Sequence, residues 1–307
     1  MRVAVVDMGT NSTRLLVAEI EDGRVRELER RSRVTRLGRG VDLSGQLGAD
    51  AIEEVCAVVG EYIQVYKELG VEQVIAIATS AVRDASNADA FVAELRERFM
   101  LDARILDGSE EARLTYRGAT WDRPPALDTL VVDIGGGSTE LIVGTRAEVE
   151  SFASLQCGTV RHTERYLTTD PPAASALEDL AADVRGVIDA ELPADSRPLA
   201  EAGIAVAGTP TSLAAIDLRL DPYDREAVHG HRLSLTSIQR TCSELSSTTV
   251  AQRREVTGLH PDRAPTIVAG VVILIQVMRA FSLSEIEVSE HDILYGAALE
   301  AAKAAVP

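Results

Sequence analysis

The sequence predicts an α/β protein whose two halves share one plan, and three observations carry that expectation. Short β-branched runs alternate with longer stretches whose apolar residues recur at helical spacing. The segment VVDMGTNSTRLLV, Val5 to Val17, is matched without a gap by VVDIGGGSTELIV, Val131 to Val143. Asp7 falls on Asp133, Gly9 on Gly135, Ser12 on Ser138, Thr13 on Thr139 and Leu15 on Leu141. Finally, 307 residues are more than one hydrophobic core usually serves.

The elements follow in order. Arg2 to Ile20 reads as a hairpin joined by the glycine-containing segment, and Asp22-Gly23 gives a turn into a further strand. From Asp50 to Leu69, Ile52, Val55, Val59, Tyr62, Tyr66 and Leu69 recur at helical spacing, with Asp50 and Glu53 resembling a capping box and Gly70 a stop. Gln73 to Ala78 is a short buried strand. A loop, TSAVRDASN, follows, then a helix from about Ala88 to Phe99. Arg104 to Leu106 is another strand, and Asp107-Gly108-Ser109 caps the helix EEARLTYRGA.

Trp121-Asp122-Arg123-Pro124-Pro125 breaks the pattern and is the expected linker. It separates a domain of residues 1–122 from one of 123–292, with a C-terminal helix at about 293–307 expected to pack back on the first. The second half opens with strands Thr129 to Ile134 and Thr139 to Gly144 around the second loop. A helix runs from about Ala173 to Glu191, and a strand from Gly203 to Ala207 ends in GTPTSL, the start of another helix. Helices near Thr236 to Ser246 and Arg263 to Phe281, a strand Glu285 to Ser289 and an alanine-rich helix complete the chain. Two halves with matched hairpins point to a cleft between them.

Composition sets limits. With 46% apolar and 26% charged residues the chain reads as an ordinary globular protein. Its formal charge of -17 argues against a general binder of nucleic acid or membrane surfaces, which needs basic patches. Met1-Arg2 leads straight into a strand, and Cys56, Cys157 and Cys242 are scattered and odd in number, so a reducing cytoplasm is expected. Arg30, Arg31, Arg33, Arg36 and Arg39 form a local exception, either a solvated strand or an anion-attracting rim.

The two loops carry the chemistry. A tight hairpin loop aims several backbone N–H groups at one point, and glycine lets a phosphate approach closely through positive φ and a missing side chain. Gly9, Thr10, Asn11 and Ser12, and Gly135, Gly136, Gly137, Ser138 and Thr139, are the candidate phosphate-binding residues. Asp7 and Asp133 end their strands at the loop mouths, where a carboxylate can hold Mg²⁺ directly or through water. His229-Gly230-His231 invites a metal reading, but no ligand cluster surrounds it in sequence. Cys157 reads as a small core residue rather than a nucleophile.

These loops resemble those of the actin and sugar-kinase superfamily and, more narrowly, its exopolyphosphatase/guanosine pentaphosphate phosphohydrolase family. Further segments share the resemblance in order: Thr79-Ser80-Ala81-Val82-Arg83-Asp84-Ala85, Asp107-Gly108-Ser109-Glu110-Glu111-Ala112-Arg113-Leu114, Gly158, and Gly208-Thr209 as a third glycine turn. The resemblance implies two actin-like (ribonuclease H-like) domains around an interdomain cleft, and Mg²⁺-dependent removal of the terminal phosphate of inorganic polyphosphate. A homodimer is implied as well.

Glu111 is then the general base for water, although acidic residues suit a helix's first turn in any case. Asp133 and Glu140 join it as catalytic and, with Asp7, as metal-binding residues; Glu140 stands where the first loop has Arg14, and simple outward alternation would also explain both. Arg83 either neutralises substrate phosphate or forms a surface ion pair. Near the C-terminus the family's Leu-Arg-Glu-Gly segment is here Ile293-Leu294-Tyr295-Gly296, so the roles of its arginine and glutamate do not transfer. The chain also stops short of the extra helical domains of long family members. Guanosine pentaphosphate is the rival substrate. An ATP-dependent kinase, or a phosphate- or alarmone-binding regulator without turnover, is the more distant alternative.

Overall fold

A computed structural model describes residues 1–21, 24–124, 127–146, 148–194 and 197–304, with 302–304 as backbone only. The Asp22-Gly23 turn, Pro125 of the expected linker and residues 305–307 lie outside the described residues. The chain divides into two compact units, Met1–Gly118 with Asp292–Pro307, and Ala119–His291.

The first unit is a five-stranded sheet of β1 (Arg2–Met8), β2 (Ser12–Glu21), β3 (Arg24–Val34), β4 (Gln73–Ala78) and β5 (Ala103–Ile105), in the order β3-β2-β1-β4-β5. The first three strands are antiparallel; β4 and β5 run parallel to β1. Its helices are α1 (Val41–Ser44), α2 (Ala49–Glu68), α3 (Ser80–Arg83), α4 (Ala88–Phe99), α5 (Gly108–Thr120) and the C-terminal helix Ile293–Ala304. Val55, Val59, Tyr62 and Tyr66 of α2 and Phe91 and Leu95 of α4 are buried in the core with Ala4, Val6 and Met8. Thus the helical spacing read from the sequence is the buried stripe.

Two local expectations need correction. Helix α2 starts after Gly48 with no side-chain cap, so Asp50 sits inside its first turn and the capping box with Glu53 does not form. The stretch TSAVRDASN contains the short helix α3. Glycine earns its place where the C-terminal helix meets α5. A Cβ on Gly296 would stand 1.8 Å from the Leu114 carbonyl oxygen, and one on Gly118 1.9 Å from that of Asp292.

The second unit carries β6 (Thr129–Ile134), β7 (Thr139–Gly144), β8 (Val149–Leu155), β9 (Ala202–Val206), β10 (Arg232–Ser234) and β11 (Glu285–Val288), ordered β10-β11-β9-β6-β7-β8. Around it lie α6 (Thr159–Tyr166), α7 (Ala174–Glu191), α8 (Gly208–Asp217), α9 (Arg225–Val228), α10 (Leu235–Ser246), α11 (Val250–Arg253), a 3₁₀ turn at Pro261–Arg263, and α12 (Ile267–Ala280). Every residue of α12 from Ile267 to Met278 is buried, which accounts for a helix apolar on all faces. It begins four residues later than the expected Arg263, after the separate 3₁₀ turn.

The repeat in the sequence is a repeat of topology. Strands β1, β2 and β3 with parallel β4 correspond to β6, β7 and β8 with parallel β9. The class is α/β with two sheets, as the alternation of elements predicts.

Candidate active site

Each glycine loop is closed by one hydrogen bond of the same kind: Gly9 N–H donates to Ser12 O and Gly135 N–H to Ser138 O, both at 3.0 Å. In each loop the carbonyls are then taken up by a following segment. Thr35 and Arg36 N–H donate to Asn11 O, and Gly38 N–H to Thr10 O. Equivalently, Thr159 N–H donates to Gly135 O and Val160 N–H to Gly136 O, at 2.9 and 2.8 Å, while Arg161 Nε donates to Gly137 O.

With the carbonyls engaged, the amides are left over. Among the described residues no acceptor takes the N–H groups of Thr10, Asn11, Gly136, Gly137 or Ser138, and all but Asn11 belong to buried residues. Buried amides without acceptors are rare in proteins, and a group of them makes a concavity suited to an anion. No glycine of either loop has positive φ, so that part of the glycine argument fails. What glycine supplies is room: a Cβ on Gly158 would lie 2.3 Å from Gly136 O.

The carboxylates stand beside these loops by register. Asp7 is directly opposite Arg14 across β1 and β2, and Asp133 is directly opposite Glu140 across β6 and β7. Asp7 Oδ2 accepts from Arg14 Nε at 2.8 Å and Nη2 at 2.5 Å, whereas buried Asp7 Oδ1 has no hydrogen-bond partner. Burial pushes the Asp7 carboxyl up despite Arg14. Asp133 and Glu140 are both buried, and Glu140 Oε1 accepts from Ser154 Oγ at 2.8 Å. Two carboxylates facing each other across a ladder repel, and hard oxygen donors in that arrangement suit a divalent cation such as Mg²⁺.

In the first unit the C-terminal ends of the parallel strands converge on one edge, where open α/β sheets place their ligand sites. Asp7 is in register with Ile77, and Ile77 with Arg104. The residues beyond those strand ends are Thr79 to Arg83 and Asp107 to Glu111. Glu110 and Glu111 part company here. Asp107 Oδ1 accepts from Ser109 and Glu110 N–H, and Glu110 Oε2 accepts from Asp107 N–H, so Glu110 closes a reciprocal helix cap. Glu111 is buried, and its Oε2 accepts from Arg83 Nη1 at 3.0 Å. Arg83 Nη1 also reaches Leu106 O at 2.9 Å, which makes the pair a part-buried fixture rather than a surface ion pair.

The second unit adds the third turn. Asp133 is in register with Val206 at the end of β9, and Gly208 and Thr209 begin α8 immediately beyond. Between them Ala207 sits at φ 71°, ψ -167°, a region that glycine alone occupies comfortably. Thr139 is fully buried with its hydroxyl donating to Cys157 O at 2.7 Å, so that proton is engaged within the hairpin support. Thr10 Oγ1 likewise accepts from Ala81 N–H at 3.1 Å. Ser12 is half-buried and Ser138 buried.

The weaker sequence signals resolve structurally. Burial pushes the Cys157 thiol up to about 12, as befits a core residue. Arg30, Arg31 and Arg33 lie on edge strand β3; Arg31 and Arg33 make exposed pairs with Glu29 and Glu61, while Arg30 turns to Asp292. That is the solvated-strand reading for two of the five. His229 and His231 do not converge: His231 Nε2 pairs with Asp217 at 2.9 Å. His229 instead joins His291 and Asp122, with one potential ligand atom from each within 4.8 Å of the others. However, His229 Nδ1 accepts from Glu290 N–H and His291 Nδ1 from Trp121 Nε1. Both rings therefore carry their hydrogen on Nε2 and present N–H groups there, not lone pairs.

One relationship had no signal in the sequence. Arg14 Nη1 donates to Asp292 Oδ2 at 2.5 Å, and Arg30 Nη2 approaches the same oxygen at 3.4 Å. No local pattern joins positions so far apart.

Two repeated α/β units, each with a glycine loop and a buried carboxylate at a strand end, make up this chain, and its relatives are hydrolases acting on phosphoric anhydride bonds. The chain belongs to the Ppx/GppA phosphatase family, whose model matches residues 16–301. Exopolyphosphatase 2 of Mycobacterium tuberculosis is 35% identical over 315 residues, covering 98% of this chain and 98% of that protein. Among solved structures, an exopolyphosphatase-like protein matches with a TM-score of 0.91 and 33% identity over 98% of this chain and 97% of its own. The Aquifex aeolicus member of the Ppx/GppA family matches with a TM-score of 0.85 and 30% identity, over 100% and 99%. Among the described residues no helix is long and apolar enough to cross a membrane.

Proposed function

We propose that the protein is an exopolyphosphatase that releases orthophosphate from the end of inorganic polyphosphate. The observation that carries this reading is the pair of loops in which the N–H groups of Thr10, Asn11, Gly136, Gly137 and Ser138 find no acceptor among the described residues. Such amides are preorganised donors for phosphoryl oxygens and need no reorganisation as charge develops on them. The relatives named as exopolyphosphatases support the substrate class.

In this reading, Glu111 accepts a proton from the attacking water as its oxygen bonds to the terminal phosphorus. The bond from that phosphorus to the bridging oxygen breaks, and the shortened chain leaves with the electron pair. Arg83 holds the Glu111 carboxylate in place through its 3.0 Å bond and keeps it oriented for the water. The amides of Thr10, Asn11, Gly136, Gly137 and Ser138 receive phosphoryl oxygens, and the turn at Gly208 and Thr209 offers a further phosphate position. In the second unit Asp133 and Glu140, and in the first unit Asp7, are the residues that would serve as Mg²⁺ ligands, and Mg²⁺ would supply charge neutralisation on the phosphoryl oxygens when bound.

The test is phosphate release from polyphosphate and from guanosine pentaphosphate, with Mg²⁺ and with a chelator, for wild type and Glu111→Gln. The reading expects Mg²⁺-dependent release from polyphosphate and a fall of about 10²–10⁴ in the variant. Release only from guanosine pentaphosphate would reassign the substrate. Release from neither would remove the hydrolytic reading.

A further inference from the structure

We propose that Asp292 is a positioning residue for the Asp7 carboxylate, acting through Arg14 to leave Asp7 Oδ1 facing a divalent cation. This rests on the reading of Asp7 as part of the cation site. An arginine facing a carboxylate usually forks across both oxygens. Arg14 does not: Nε and Nη2 both donate to Oδ2 of Asp7, at 2.8 and 2.5 Å, and Oδ1 is buried without a hydrogen-bond partner. The third donor group explains the offset. Nη1 of Arg14 is held by Asp292 Oδ2 at 2.5 Å, so the guanidinium is stretched between two carboxylates.

Asp292 is itself anchored. Its Oδ1 accepts from Leu294 N–H at 3.0 Å at the start of the C-terminal helix, and Arg30 Nη2 lies 3.4 Å from Oδ2. Its backbone is fixed by the tight approach of Gly118 to its carbonyl and by the Gly296 N–H bond to that oxygen at 3.1 Å. The C-terminal helix thereby holds a group that acts on the end of β1. Arg14 is shared between two anions, so its charge does not cancel that of Asp7 alone. An uncommitted, buried carboxylate oxygen matches the hard donor that Mg²⁺ prefers.

Mn²⁺ serves as the probe, its free concentration followed by electron paramagnetic resonance during titration of the full chain, with thermal melting of each variant alongside. Wild type is expected to bind Mn²⁺, and Asp7→Asn to weaken it. Asp292→Asn is expected to weaken binding about tenfold, the scale for outer-shell partners of a metal ligand. In an Arg14→Gln background the same change should alter affinity less than about twofold, because the path through Arg14 is gone. Should Asp292→Asn not fold, Arg14→Lys reads the same geometry, since an ammonium cannot send two N–H groups to one oxygen and a third to Asp292.

Wild-type affinity in Asp292→Asn or in Arg14→Lys overturns the proposal. So does an equal loss with and without Arg14, which would make Asp292 a direct electrostatic contributor. Unchanged Mn²⁺ binding and phosphate release in Asp7→Asn overturns the inference while leaving hydrolysis intact. Absent release by the wild type overturns the functional reading itself.

Discussion

Asp133 lies directly opposite Glu140 across β6 and β7, at the register position where Asp7 lies opposite Arg14 across β1 and β2. One repeat thus sets an anion against a cation and the other sets two anions against each other, at the same place beside the same kind of loop.

Changing Glu140 to Gln removes one of the two facing charges. The expected outcome is a melting temperature at or above that of the wild type without added metal, because like charges opposite each other destabilise a ladder. Mg²⁺-dependent phosphate release should fall by about 10²–10³. Melting curves and a phosphate-release assay on the same preparations check both halves, and a loss of stability in parallel with activity would count against the cation role.

The adjacent glutamates of α5 should separate cleanly. Glu110→Ala loses part of a helix cap, with a cost of about 1 kcal/mol or less and less than about threefold loss of phosphate release. Glu111→Gln keeps the cap and is expected to lose about 10²–10⁴ of the rate. Rates set beside urea denaturation curves distinguish the two roles.

Ala207 is held at φ 71°, just before the Gly208-Thr209 turn. Ala207→Gly relieves a backbone strain of about 1–3 kcal/mol, offset by the greater freedom of glycine in the unfolded chain. A net gain of about 1 kcal/mol is expected in urea denaturation. Equal or lower stability would show that the surroundings favour this conformation by more than the strain costs.

Acid sensitivity should arise near the second loop. Burial lowers the His162 pKa below its ordinary 6.5 even though Asp183 is beside it. Its Nδ1 accepts from Gly158 N–H at 3.3 Å and Nε2 pairs with Asp183 at 3.1 Å, which describes a neutral ring. The unfolded chain takes up the proton near pH 6.5 and the folded chain only at lower pH, so unfolding binds a proton within that window. Stability is therefore expected to fall as pH drops below 6.5 toward the folded value, and to be free of this contribution above it. His162→Gln should flatten that limb in denaturation curves taken from pH 7.5 down to about 5.

The C-terminal end carries the opposite case. Burial tends to raise the Asp292 carboxyl, but Arg14 and Arg30 outweigh it and hold the group below its ordinary 3.8. Asp292 therefore contributes stability that is present above pH 3.8 and is lost as pH falls through the folded value. Removing that charge in Asp292→Asn should shallow the acid limb below pH 4, measured by the midpoint of acid unfolding.

The sequence by itself determined the α/β class and the duplicated hairpin, because these depend on local periodicity and short-range motifs, whereas the segment around Glu111 stood out only through its resemblance to a family. It placed α2, α4 and α12 through their buried apolar residues, and it marked Asp7 and Asp133 because each ends a strand at a glycine loop. It expected positive φ at the loop glycines, which none of them has, and the tight backbone approach falls instead at Gly158 beside Gly136. Only the tertiary structure decided which glutamate caps α5 and which faces Arg83, since both spacings suit a first turn. Tertiary packing alone also joined His229 to His291 instead of His231, and joined Arg14 to Asp292. Charge pairing between residues hundreds of positions apart follows from how strands and helices close into a unit, and no local pattern in the chain encodes it.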